Sequence, residues 1–256
     1  MSGHSKWSTI KHKKAINDAK KGKIFSKLSQ LITHAARQGG GDVNMNPNLR
    51  LYVAQAKEEG FPAENIQKAI DKGTGNAEGV QYSEASYEGF GPAGVAIIVD
   101  VLTDNTNRVV SELRTIFSDF GGTLGDMGSV SWNFETKGFV AVKPGKMVKS
   151  EKFGEEDYFV AENTEDVMMM LMDIQGIQDI EVNEDHVLEL YCEYKDLAKV
   201  RDAVIALGYV VTTAKLVKLP KMTKKISDED MEKVVKALET LEDYDDVQEV
   251  WTDLED

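Results

Sequence analysis

Hydrophobic positions in the first third of the chain recur at helical spacing and predict three short helices. Between residues 23 and 37 the apolar residues fall three or four positions apart, as on one face of a helix: Ile24, Phe25, Leu28, Leu31, Ile32, Ala35 and Ala36. Turn residues mark where these helices begin and end: Gly39-Gly40-Gly41, Asn46-Pro47, Gly60, Pro62 and Gly73. We therefore expect a small helical domain in residues 1–78.

The pattern changes to that of a sheet after residue 86. Val95–Val99 is a continuous apolar run, which is typical of a strand buried on both faces. Asn107–Phe120 has helical spacing again, and a glycine-rich turn follows it. We predict that Val130–Phe134 after this turn is a second strand.

The remaining elements predict a second α/β domain inserted into the first. The order β-α-β-β-α-β is the ferredoxin-like signature, and its segments are Phe139–Val142, Glu165–Met172, Asp179–Val182, Val187–Cys192, Asp196–Leu207 and Tyr209–Leu219. The last helix, Asp228–Leu241, and the last strand, Val247–Trp251, are expected to return to the first sheet. The predicted fold class is α+β: a helical domain at 1–78, a discontinuous α/β domain at 79–134 and 218–256, and an inserted one at 135–217.

The distribution of charge also separates the N-terminal helical segment from the rest of the chain. Residues 1–75 contain 13 Lys and Arg against 6 Asp and Glu, whereas the rest contains 17 against 38, on a chain of net charge −14. A basic segment on an acidic body attracts a polyanion in one orientation. Lysines contact phosphate without reading sequence, and a tryptophan offers a stacking face to an unpaired base. The predicted nucleic-acid-binding residues are Lys6, Trp7, Lys11, His12, Lys13, Lys14, Lys20, Lys21, Lys23, Lys27 and Arg37.

Sequence matches that would indicate a catalytic, cofactor or metal site are discounted because the neighbouring residues do not fit such a site. Gly89–Gly94 fits G-x-G-x-x-G, but a dinucleotide loop requires a following helix, and here a strand follows. The four histidines lack ligand spacing, and the single cysteine, Cys192, falls on the apolar side of an alternating strand. We expect no enzyme activity, cofactor or metal. Without a secretory h-region or a bilayer-length apolar run, the chain is expected to be cytoplasmic, with no membrane partner.

Three weaker features complete the set of candidates. Asn105 and Arg108 at the start of a helix form a candidate anion or partner site, although a helix cap and a salt-bridged arginine explain them as well. The methionines at 168–170 and 172 suit a partner groove, but core filling is favoured. The acidic C-terminal stretch is usually a solvated face and is alternatively a surface for a basic protein.

Motifs along nearly the whole chain resemble the YebC/PmpR family. The opening resembles it in GHSKW at 3–7, IKHKKA at 10–15, DAKKGKIF at 18–25 and AAR at 35–37. A second block resembles it in YEGFGP at 87–92, LTDN at 102–105, NR at 107–108, GG at 121–122 and GSV at 128–130, and the ending does so in LED at 241–243 and DVQ at 246–248. The region 150–185 departs from the usual family pattern, with a Met-rich helix where an Ala-rich one is typical.

The resemblance implies a helical N-terminal domain with two ferredoxin-like domains, and a cytoplasmic DNA-binding transcriptional regulator. Mitochondrial relatives and some bacterial ones are instead described as translation activators at the ribosome. Residue chemistry leans toward RNA, because no helix with Arg, Asn and Gln aimed at base edges is recognisable. The leading interpretation is a non-enzymatic nucleic-acid-binding regulator, with a translation factor bound to ribosomal RNA as the alternative. A small-molecule sensor on the α/β domains and a protein-binding adaptor are further alternatives.

Overall fold

The structure is a computed structural model, and it describes residues 18–75, 82–150 and 157–255. These residues divide into two compact units. One unit holds the described residues up to Glu135 together with those from Leu219 onward, and the other is Thr136–Lys218. The observed fold class is α+β, as predicted.

Three helices open the first unit, as the hydrophobic spacing predicts: α1 (Asp18–Gly39), α2 (Pro47–Glu58) and α3 (Ala63–Thr74). The Asn46 side chain accepts a hydrogen bond from the Leu49 N–H and caps α2, with proline at its first position. The helices share a core of their own, built from residues such as Ile32, Leu49 and Ile66.

The rest of the first unit is an antiparallel sheet covered by two helices. Its elements are β1 (Ser83–Phe90), β2 (Ala96–Thr103), α4 (Thr106–Asp119), β3 (Thr123–Leu124), α7 (Asp228–Glu242) and β9 (Val247–Thr252), and its strand order is β3-β1-β2-β9. The terminal helix and strand therefore return to the first sheet, as expected from the sequence. β2 is buried on both faces: Ile97 and Val99 pack into the core beneath α4 and α7, whereas Ile98 packs with Trp251 on the other face.

The second unit contains the β-α-β-β-α-β order that the sequence predicts, with one additional short strand, Tyr158–Ala161, before the first helix. It contains β4 (Phe134–Val148, which begins in the first unit), β5 (Tyr158–Ala161), α5 (Thr164–Met172), β6 (Ile177–Val182), β7 (Leu188–Glu193), α6 (Leu197–Ala206) and β8 (Tyr209–Pro220). β7 and β8 both pair with β4, β6 pairs with β7, and the short β5 pairs with the far end of β4. Both helices pack on one core with the strands.

Two sequence predictions were wrong in this part of the chain. Val130–Phe134 is not a strand: Ser131–Asn133 forms a 3-10 turn, and Phe134 begins β4. The methionines of α5 are not mainly core filler, because Met169, Met170 and Met172 are 54–61% exposed. On this helix Val167 and Leu171 supply the fully buried contacts instead.

Candidate nucleic-acid interface

Helix α1 carries the predicted nucleic-acid-binding residues that the structure describes. Lys6, Trp7, Lys11, His12, Lys13 and Lys14 lie outside the described residues. Lys20 and Lys21 lie near the start of α1, and their side chains are likewise outside the description. Arg37 lies exposed in the last turn of the same helix, about 24 Å along the axis from Lys21 at 1.5 Å per residue. The five predicted residues on the described part of the chain therefore extend along a helix rather than forming one compact pocket.

Two of the predicted lysines contact the acidic body of the protein itself. Lys23 Nζ lies 3.2 Å from the Asp243 carboxylate, and Lys27 Nζ donates a 2.6 Å hydrogen bond to the Glu242 carbonyl oxygen. Both partners lie at the C-terminal end of α7, where unpaired helix carbonyls attract a cation. A phosphate group would have to compete with these contacts. Lys23 and Lys27 therefore hold α1 on the body in this structure.

The contacts with the body continue along the same face of α1. Gln30 accepts a 3.0 Å hydrogen bond from the Gln248 side chain on β9, and His34 lies 3.0 Å from the Glu84 carboxylate on β1. Positions 23, 27, 30 and 34 are spaced at one helical face. This polar stripe lies apart from the apolar residues that pack against α2 and α3. The spacing is visible in the sequence, and it is the signal by which this docking face could have been found.

The candidate anion site at the start of α4 consists of paired groups. The Asn105 side chain accepts a 3.1 Å hydrogen bond from the Arg108 N–H and caps the helix. The Arg108 guanidinium donates to the carboxylates of Asp246 at 2.6 Å and Asp104 at 2.9 Å. Hydrogen bonding to Asp246, then to Tyr244, raises the pKa of Arg108 above its usual value. An anion that approached this guanidinium would be repelled by the two carboxylates that already bind the guanidinium.

A cleft of about 420 Å³ opens beside this network, between α1 and the start of α4. Its lining includes the carboxylates of Asp104, Glu112, Asp245 and Asp246 together with the Arg108 guanidinium. An excess of carboxylates repels phosphate. The electrostatic character of this cleft is therefore opposite to that of the basic N-terminal segment.

The motifs discounted as catalytic have structural roles. The Gly89–Gly94 segment connects the antiparallel strands β1 and β2 through a 3-10 turn at Pro92–Gly94. Cys192 is fully buried, and burial, followed by the charges of Asp196 and Glu193, raises its thiol pKa to about 11. In the described ranges, His, Cys, Asp and Glu side chains form no group of three or more placed to hold a metal ion. Within the same ranges, no helix combines the length and the apolar character needed to cross a membrane.

Sequence reasoning overlooked one exposed aromatic surface. Trp132, in the 3-10 turn before β4, is 60% exposed, and Met222, just after β8, is 57% exposed. The lysine-rich stretch that contains Met222 is likewise absent from the predicted binding residues. Its signal in the sequence is the absence of any Asp or Glu from 203 to 227, where five lysines occur.

Two family models together match nearly the whole chain. The model described as the TACO1/YebC protein N-terminal domain matches residues 5–76, and the one described as the TACO1/YebC second and third domain matches residues 82–254. Curated relatives carry the name "probable transcriptional regulatory protein". One from Dictyoglomus turgidum is 44% identical over 90% of this chain and 86% of its own length. Another, from Burkholderia mallei (strain SAVP1), is 43% identical over 99% of this chain and 98% of its own.

A solved structure has the same fold along its length. The crystal structure of a conserved hypothetical protein from Aquifex aeolicus is 39% identical, with a TM-score of 0.80 over 98% of this chain and 97% of that one. Sequence and structure therefore agree from the helical segment to the last strand. The chain belongs to the TACO1/YebC family.

Proposed function

We propose that this protein is a non-enzymatic regulator of gene expression that binds nucleic acid through its basic N-terminal segment. The charge separation carries the proposal: the first 38 residues hold nine Lys and Arg against one acid, on a chain of net charge −14. The names of the relatives, probable transcriptional regulatory proteins, support a role in regulation.

The contacts of α1 support different roles for the early and the late lysines of this segment. Lys23 and Lys27 contact the body, so the phosphate contacts are assigned to the lysines that precede them, from Lys6 to Lys21. Because the acidic body repels phosphate, a nucleic acid bound there would extend away from the body. Non-specific affinity would come from lysine contacts and the release of counterions.

The proposed target is DNA, with ribosomal RNA as the second candidate. The relatives' names favour DNA, since transcriptional regulation acts on it. The composition of the segment, lysines with the single tryptophan Trp7, favours structured or single-stranded RNA. The two targets lead to different experimental results.

Binding of the full chain to duplex DNA, to single-stranded RNA and to a ribosomal RNA fragment, measured by fluorescence anisotropy, tests the proposal. With about six phosphates engaged, the logarithm of the affinity falls against the logarithm of salt concentration with a slope near −5 on duplex, and less steeply on single strands. A variant with Lys11, Lys13, Lys14, Lys20 and Lys21 changed to Gln should lose most of this slope and at least about tenfold in affinity.

A matched variant controls for the change in net charge. It replaces five exposed lysines elsewhere with Gln: Lys68, Lys195, Lys199, Lys233 and Lys236. This variant should bind like the unmodified chain, because its lysines lie outside the proposed contact. Equal losses in the two variants, or no binding by the unmodified chain, would overturn the proposal.

A further inference from the structure

An exposed tryptophan and an exposed methionine are joined by a buried asparagine. The Asn133 side chain donates a 2.9 Å hydrogen bond to the Met222 carbonyl and accepts a 3.0 Å bond from the Met222 N–H. The Asn133 carbonyl also accepts a 2.7 Å bond from the Lys221 N–H. Asn133 is only 4% exposed, whereas the neighbouring Trp132 and Met222 are more than half exposed. Two distant parts of the chain therefore lie side by side, and each carries a large exposed apolar side chain.

The loop that carries Trp132 is anchored by a buried carboxylate. Glu88, on β1, accepts hydrogen bonds from the N–H groups of Gly128, Val130 and Ser131 at 2.8–2.9 Å. The Trp132 indole N–H donates a 3.0 Å bond to the carbonyl of Ser129 in the same loop. Burying a carboxylate is costly unless it is hydrogen-bonded, so this arrangement fixes the loop that leaves the indole exposed. The indole is therefore preorganised for a contact.

The segment that carries Met222 also carries three lysines, and one of them contacts the loop of Trp132. Lys221 Nζ donates a 3.0 Å hydrogen bond to the Trp132 carbonyl, which places its ammonium beside the backbone of this residue. An ammonium has three N–H donors, and this bond uses one of them. Lys224 Nζ donates to the Gly94 carbonyl at 2.8 Å, and the largely exposed Lys225 forms an ion pair with Glu255. The stretch from 203 to 227 contains these lysines and no acid.

We propose that Trp132, Met222 and Lys221 form a second nucleic-acid contact, which takes a single strand. An unpaired base would stack on the indole and against Met222, while the Lys221 ammonium binds a neighbouring phosphate. The inference rests on the proposed function and adds a second surface, on the body, to the basic N-terminal segment. It also gives a function to the acid-free stretch at 203–227, because the remaining surface of the body is acidic and repels phosphate.

Charge complementarity favours a nucleic acid over a protein partner. An apolar protein surface would require neither the lysines nor the acid-free stretch, whereas a single strand requires both a stacking face and a positive charge beside it. The chain repeats this combination. Of its three tryptophans, Trp7 lies within an acid-poor run of lysines in the sequence, Trp132 contacts Lys221 of another such run in the fold, and Trp251 is instead bonded to Asp100.

The test compares Trp132→Ala, Trp132→Phe and Lys221→Gln in the full chain. The probes are fluorescein-labelled DNA and RNA single strands about 15 nucleotides long, within the usual site size of such surfaces, and the duplex of the same sequence. Removing a stacking side chain weakens single-strand binding about 5- to 150-fold. We expect a loss in this range for Trp132→Ala, near-normal binding for Trp132→Phe, and a salt slope reduced by about 0.7 for Lys221→Gln. Duplex binding should change less than twofold in the alanine variant.

The phenylalanine variant separates stacking from loop anchoring, because phenylalanine keeps a π-face but lacks the N–H that bonds Ser129. Losses of equal size in the alanine and phenylalanine variants would overturn the proposal. Unchanged single-strand binding in the alanine variant would also overturn it. If that variant lost a co-purifying protein instead, the surface would be assigned to a protein partner. If these variants bind normally while the five-lysine N-terminal variant does not, this inference fails and the proposed function stands. If the unmodified chain binds no probe, both fail.

Discussion

The carboxylate of Glu88 should be one of the most sensitive positions in the first unit. It is 7% exposed and accepts hydrogen bonds from three backbone N–H groups, those of Gly128, Val130 and Ser131. The perturbation that tests its role is Glu88→Gln, which keeps the shape of the side chain and removes the charge. One glutamine oxygen can still accept from Val130 and Ser131, but the amide NH₂ then faces the Gly128 N–H.

The expected cost follows from these three bonds. A hydrogen bond to a charged group contributes roughly 1.5–3 kcal/mol, and about half of that remains when the acceptor becomes neutral. One bond is lost and two are weakened, and the exposed Gly128 N–H can recover part of its loss by bonding to water. We expect Glu88→Gln to lower the free energy of unfolding by about 2–4 kcal/mol at neutral pH.

The hydrogen bonds to the Glu88 carboxylate also make the stability depend on pH. Burial alone would raise the pKa of Glu88, but the backbone N–H donors and the Ser131 hydroxyl lower it below its ordinary value of 4.5. A carboxylate with a lowered pKa contributes stability above the pKa of the unfolded chain, and this contribution is lost as pH falls through the folded pKa. The difference between the unmodified chain and Glu88→Gln should therefore be full above about pH 5 and shrink below about pH 4.

Urea unfolding of the full chain, followed by tryptophan fluorescence and circular dichroism, measures the difference. Amide exchange at Gly128, Val130 and Ser131 localises it to the loop. Asp126→Asn in the same loop is the matched control, since Asp126 is exposed, and it should shift the free energy of unfolding by less than about 0.5 kcal/mol. A loss below about 0.5 kcal/mol for Glu88→Gln, or a loss that does not depend on pH, would contradict the anchoring of the loop by a charged Glu88.

Three further predictions concern other parts of the fold. Arg108→Met should leave the carboxylate of Asp246, whose side chain is only 8% exposed, without the guanidinium that pairs with it. Because Arg108 is nearly half exposed, solvent screening limits the expected loss in the free energy of unfolding in urea to about 1–2 kcal/mol. An unchanged free energy of unfolding would contradict the pairing. Cys192 should not react with a thiol reagent at pH 8 in the native protein and should react fully in denaturant, because burial raises its pKa to about 11; rapid native labelling would contradict the buried placement. Gly73→Ala should destabilise the helical segment by about 1–3 kcal/mol, because the added Cβ would meet the carbonyl of Thr33 where α3 crosses α1, and an unchanged melting temperature would contradict that close approach.

Periodicity was enough to predict the elements whose stability depends on one apolar face. Helices α2 and α3 were predicted within a few residues, because their apolar stripes are uninterrupted and proline or glycine marks their ends, whereas α1 begins at Asp18, five residues before the predicted start. The buried strand β2 was predicted for a similar reason, since its run of apolar residues serves two cores.

The elements that were missed depend on long-range contacts. Strand β1 was not predicted because half of its residues, from Ser83 to Phe90, are exposed, and its buried positions include the glutamate Glu88 rather than a run of large apolar residues. Val130–Phe134 resembles a strand because Val130 and Phe134 are buried, but Glu88 accepts the N–H groups of Val130 and Ser131 that a neighbouring strand would have used. The distance of more than forty residues between Glu88 and this loop hides the interaction from local pattern reading.

The candidate site was predictable in its charge and less so in its geometry. The basic N-terminal segment follows from composition alone, whereas the contacts of Lys23 and Lys27 with the end of α7 join residues more than two hundred positions apart. The tryptophan beside Lys221 has the same origin, since Asn133 joins two segments separated by the whole inserted unit. Charge composition is a property of a segment, but which charges remain available depends on how the chain folds back on itself.

Ultraviolet crosslinking in growing cells, with sequencing of the co-purified nucleic acid, shows whether the basic N-terminal segment binds nucleic acid in the cell. The unmodified chain is compared with the five-lysine N-terminal variant and with the matched variant that replaces five exposed lysines elsewhere. We expect DNA or ribosomal RNA to be recovered with the unmodified chain and the matched variant and to be lost with the N-terminal variant. Discrete chromosomal sites would assign the protein to transcription, and ribosomal RNA would assign it to translation. Equal recovery with all three proteins, or none with any of them, would contradict the claim.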